Sequence, residues 1–147
     1  MCLGGCLLLS APAIFAKQTQ DGDPIDPERL CYCGYQCPVD CHFLVASEQN
    51  DPELKKQVYE EWELKKRYGL EFDPQKIFCF KCKPGNKPEG PVLKNCTVRE
   101  CAIGKGYQAC IQCDQLATCN HELWERFPQF HESVVELQKK YKLQEST

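Results

Sequence analysis

This sequence predicts a mainly α-helical, small cysteine-rich domain with little or no sheet, on three observations. Apolar residues recur at helical spacing in two long stretches, and turn-rich segments rather than alternating strands lie between them. Cysteine occupies 13 of 147 positions, within the range that marks a cysteine scaffold. A core in which so many apolar positions are cysteine needs cross-links or metal, so the helices are expected to surround two cysteine metal knuckles.

The first sixteen residues, MCLGGCLLLSAPAIFA, carry no charge, end in small residues and precede a polar run at 17–23. They read as the apolar middle and cleavage end of an export signal, with cleavage after Ala13 or Ala16. The basic start is missing, so the true start is expected upstream. Gly4, Gly5 and the modest hydrophobicity resemble a twin-arginine signal, and a periplasmic location is the expectation. A lipoprotein box ending at Cys6 would precede the apolar run instead of closing it, so lipidation is the lesser reading. No segment offers the roughly 20 apolar residues of a membrane span. Residues 17–29, with two Asp-Pro dipeptides, read as an exposed linker, and the metal-binding domain as 30–147.

Residues 43–46 are apolar enough to start a short helix. A longer one is predicted over 51–68: Asn50 or Asp51 caps it, Pro52 suits its first turn and Glu53 completes a capping box. Leu54, Val58 and Trp62 share one face, and Gly69 stops it. Proline and glycine crowd 72–91, which places Cys79-Phe-Lys-Cys82 on a loop knuckle. One or two helical turns are expected at 97–103, ended by Gly104-Lys-Gly106. Beyond Asn120, a capping candidate, Leu123, Phe127, Phe130, Val134, Leu137 and Tyr141 step by four and three. Pro128 interrupts that stripe, so a short helix, a break and a longer helix are predicted. Lysines at 55–56, 65–66 and 139–142 alternate with glutamates and read as solvated faces. A net charge of −3 supplies no electrostatic footprint for nucleic acid.

Eleven cysteines lie beyond residue 16. Cys33, Cys37 and Cys41 fall four apart, Cys79/Cys82 and Cys110/Cys113 are C-x-x-C pairs, Cys96 and Cys101 fall five apart, and Cys119 closes the run. A C-x-x-C knuckle turns both sulfurs to one point, as a tetrahedral zinc site requires. One or two zinc ions are the favoured reading of these ten. An iron–sulfur cluster and disulfides remain alternatives, the latter because the exported compartment is oxidising. An odd number of thiols weighs against complete pairing. Cys79, Cys82, Cys96 and Cys101 are the first expected site and Cys33, Cys37, Cys110 and Cys113 the second, with Cys41 and Cys119 in reserve. His42 and His121 adjoin cysteines and are weaker ligand candidates, and His131 reads as a rim residue. No catalytic triad, phosphate loop or carboxylate pair stands out, so a binding or accessory module with an unidentified protein partner is favoured over an enzyme. A redox protein built on iron–sulfur or a reactive cysteine is the alternative.

The ordered set Cys33-Gly-Tyr-Gln-Cys37, Cys41, Cys79-x2-Cys82, Cys96-Thr-Val-Arg-Glu-Cys101-Ala, Lys105-Gly106, Cys110-x2-Cys113 and Cys119 resembles the small cysteine-rich family called domain of unknown function 3795. The resemblance covers about residues 30–143. It departs in having three residues between Cys37 and Cys41 where the family usually has two. It implies a zinc-binding bacterial or archaeal domain and no assigned reaction.

Overall fold

The computed structural model describes residues 22–147; the expected export signal and the linker up to residue 21 lie outside the described residues. Among the described residues there are six α-helices, several short 3-10 turns and no strand, in agreement with the predicted class. No helix there is long and apolar enough to cross a membrane.

Helix α1 (His42–Gln49) closes at Asn50, whose left-handed backbone (φ 50°) turns its N–H back to the Ala46 and Ser47 carbonyls. Asp51 then caps α2 (Pro52–Glu61), its Oδ1 accepting from the N–H groups of Glu53 and Leu54 at 2.9 and 3.1 Å. The single helix expected over 51–68 is divided. Helix α2 ends at Glu61, and α3 (Leu64–Tyr68) starts after Glu63, which adopts φ 48°. Phase explains the break. On one continuous helix Leu64 would lie about 200° from Trp62, on the opposite face. One left-handed residue brings both to the same side: Trp62 meets Phe43 edge-on at 5.4 Å, and Leu64 is fully buried.

Phe43, Ala46, Val58, Leu64 and Ile77 form the first core. Lys55, expected on a solvated face, is buried beside it at 3% exposure. Its Nζ donates to Asn50 Oδ1 at 2.8 Å and to the Pro74 carbonyl at 2.7 Å, so the cation is satisfied while it pins the 72–76 turn to the α1–α2 corner.

The second core gathers Val98 of α4 (Thr97–Gly104), Trp124 of α5 (Glu122–Arg126) and Val134 and Tyr141 of α6 (Pro128–Glu145), with Leu30, Ile111 and Leu116 from loops. The break falls at Phe127 and Pro128, as predicted; His121, not Asn120, holds the cap position of α5. Gln138 is buried between Val134 and Tyr141. Its Nε2 donates to the carbonyls of Ile111 and Cys113 at 2.8 and 2.6 Å, holding the second knuckle against α6. Ile25, within the expected linker, also docks here. Its N–H donates to Gln144 Oε1 at 2.7 Å and its carbonyl accepts from Gln144 Nε2 at 2.8 Å. Packing against the second core therefore begins before residue 30.

Candidate metal centre

Three loops and helix α4 carry the thiols, and the loops are fixed by hydrogen bonds before any metal is considered. In the 31–41 loop, Cys31 N–H donates to Tyr35 at 2.7 Å and Gly34 N–H to Cys31 at 2.8 Å. Gly34 has φ +87°, and a Cβ there would stand 2.7 Å from Val134 Cγ1, so only glycine lets this turn lie on α6. Cys110 N–H donates to Tyr32 at 2.7 Å, joining this loop to the second knuckle. The first knuckle is held from both sides. Cys79 N–H donates to Ser47 Oγ of α1 at 2.8 Å, and Arg99 Nε of α4 donates to the Cys82 carbonyl at 3.1 Å.

All eleven described cysteines are free thiols. Two pairs of thiols lie side by side. In Cys37–Cys41 and in Cys31–Cys82 the nearness of the partner sulfur, together with burial, holds one thiol up and lets the other fall. Cys79 neighbours both Cys41 and Cys82, and Cys37 neighbours Cys79. Cys33 neighbours Cys82 and Cys96, and burial pushes its thiol up to about 12. Backbone N–H groups face the sulfurs: Tyr35 to Cys33, Lys81 to Cys79, Tyr32 to Cys82, and Val98 and Arg99 to Cys96. Cys41 sits at the cap position of α1 with the Phe43 and Leu44 N–H groups turned toward it, although no short cap bond forms. Burial resists thiolate charge, and these donors favour it. A cation among the sulfurs relieves the first and keeps the second, so the donor set fits a thiolate-bound metal.

The remaining thiols are arranged differently. Cys101, Cys110, Cys113 and Cys119 line a cavity of about 340 Å³. Val98, Ala102, Leu116 and Trp124 supply its apolar wall, and Lys105 and His121 lie among its polar residues. Lys105 Nζ stands 3.7 Å from Cys113 Sγ, and the charges of Cys113 and then Cys101 raise the lysine's pKa. Burial first, then Cys33 and Cys119, push the Cys110 thiol up. Trp124 stacks on His131 at 4.6 Å and is only 4% exposed, yet its indole N–H has no acceptor. His131 is committed elsewhere, a ring nitrogen lying 2.7 Å from the Leu116 carbonyl oxygen.

These proximities regroup the expected sets. Cys101 stands at the cavity with Cys110 and Cys113, while Cys37 stands with Cys41 and Cys79. Cys41 and Cys119, the reserves, belong to the two groups. Cys31, outside the ten candidates, lies beside Cys82; its signal is the C-x-C spacing to Cys33. His42 is drawn off toward Glu61 at 3.8 Å. Among the described residues no three or more Cys, His, Asp or Glu groups are gathered as a single-ion site. The thiols stand either in pairs or around a void.

No curated protein and no solved structure matches the chain. One family model does, and it spans both thiol groups from the 31–41 loop to Cys119. With that match over residues 29–123, more than half its length, the chain belongs to the family described as protein of unknown function (DUF3795).

Proposed function

We propose that this chain is an exported thiolate metal-binding module in which Cys37, Cys41, Cys79 and Cys82 hold one structural zinc ion. The folded domain then serves as a binding or accessory unit for a protein partner. The observation that supports this reading is a chain of neighbouring thiols: Cys37 beside Cys41 and Cys79, and Cys79 beside Cys82. Zinc takes four thiolates at about 2.3 Å, and ligation displaces the thiol protons. Four thiolates leave no position for water, so the ion ties α1 to the first knuckle and performs no hydrolysis. An export route for prefolded proteins suits a domain loaded before it leaves the cell.

The test is elemental analysis of the full chain purified without added metal, beside Cys79→Ser. One equivalent of zinc in the wild type, lost in the variant, is the expected result. Less than half an equivalent, with thiols oxidised, overturns it in favour of disulfides. The neighbouring pairs Cys37–Cys41 and Cys31–Cys82 are the ones that would then be joined.

A further inference from the structure

The cavity between α4, the second knuckle and α5 is too large for one ion. Four thiolates around zinc stand about 3.8 Å apart and fill their own centre. Here four cysteines stand among the fourteen residues that line a partly open cavity of about 340 Å³. A guest that four cysteines ligate, and that itself occupies volume, is a metal–sulfide cluster.

We propose that Cys101, Cys110, Cys113 and Cys119 bind a [4Fe–4S] cluster in this cavity, separate from the zinc site. Its cysteine ligation is of the kind such clusters take. The apolar wall of Val98, Ala102 and Leu116 shields one side. A cluster held by four thiolates is anionic, and the ammonium of Lys105 stands beside Cys113 Sγ at 3.7 Å. Trp124 adds to the apolar wall. A charge placed as Lys105 is placed tunes a cluster's potential. The second C-x-x-C and the C-x5-C of Cys113 and Cys119 bring three ligands from one loop, and α4 brings the fourth.

The test is anaerobic reconstitution of the full chain with equal amounts of ferrous and ferric iron and with sulfide, which together balance the [4Fe–4S]2+ core without a further oxidant. The expected product has about four iron and four acid-labile sulfide per chain and broad visible absorption. Cys101→Ser and Cys113→Ser lose at least half of that sulfide, while Cys79→Ser loses zinc and keeps it. A wild type that takes up no labile sulfide overturns the proposal and leaves the zinc reading standing. So does a folded Cys101→Ser/Cys113→Ser double variant that takes up as much as the wild type. Should those cysteine variants not fold, Lys105→Gln decides, because Lys105 is exposed. It keeps the fold and the iron and lowers the reduction potential; an unchanged potential places the cluster elsewhere and overturns the assignment.

Discussion

The two halves of the molecule use the same ligand in opposite ways. Around the first core, Cys37 neighbours Cys41 and Cys79, Cys79 neighbours Cys82, and backbone N–H groups of a helix start and a loop knuckle face the sulfurs. Around the second, Cys101, Cys110, Cys113 and Cys119 line a cavity and are positioned by contacts that do not involve their sulfurs: Gln138 on the Cys113 carbonyl, Tyr32 on the Cys110 N–H, and Trp124 stacked on His131. C-x-x-C spacing is common to both, so what separates them is the backbone each knuckle rests on. The motif specifies the donor, and the packing specifies the size of what it holds.

The largest expected effect lies in the first half. Structural zinc contributes on the order of 10–16 kcal/mol in zinc-finger peptides, comparable to the 5–15 kcal/mol stability of a whole domain. Cys79→Ser, or chelation, should therefore unfold α1–α3 and remove most of their helical circular dichroism. A native-like spectrum and an unchanged Tm after verified zinc loss would break the comparison. Leu64→Ala should cost about 2–5 kcal/mol in urea unfolding, because Leu64 is fully buried. It should also weaken zinc retention, whereas Ile111→Ala, equally buried in the second core, should cost as much and leave zinc in place.

Gly34→Ala tests whether the loop that serves both groups depends on its approach to α6. The added Cβ meets Val134 at a backbone angle unfavourable to alanine, for a cost of about 1–3 kcal/mol by thermal melting. Val134→Ala in the same chain should recover part of it, and full additivity would show that the contact is not the cause. The smallest effect is Lys55→Met, about 1–3 kcal/mol from the oxygens of Asn50 and Pro74 left without their donor. It falls on the first half alone, and hydrogen exchange confined to α1, α2 and the 72–76 turn would check that.

What was legible in the sequence was local. The cap of α2, narrowed by the sequence to Asn50 or Asp51 and taken by Asp51, and the break at Pro128 depend on residues within one turn of each other. The division at Glu63 was not legible. Nothing near it is a helix breaker, and the cause is the need to bury Trp62 and Leu64 together. Lys55 looked like one member of a charged cluster because its partners, Asn50 and Pro74, become neighbours only after the chain folds back. The ten candidate thiols could be listed from their spacing. Their grouping could not, since loop entropy scarcely separates one pairing from another, and Arg99, Ser47 and Gln138 make the choice through backbone carbonyl and N–H groups.

The central claim, one ion in the first group and one cluster in the second, is tested most directly by anomalous diffraction. Crystals of the anaerobically purified full chain would be measured at the zinc and iron edges. The account predicts a single zinc peak among Cys37, Cys41, Cys79 and Cys82. It also predicts an iron peak of several atoms in the cavity lined by Cys101, Cys110, Cys113 and Cys119. One ion of the same metal in each group, or sulfurs joined in pairs with no peak at either edge, would contradict it.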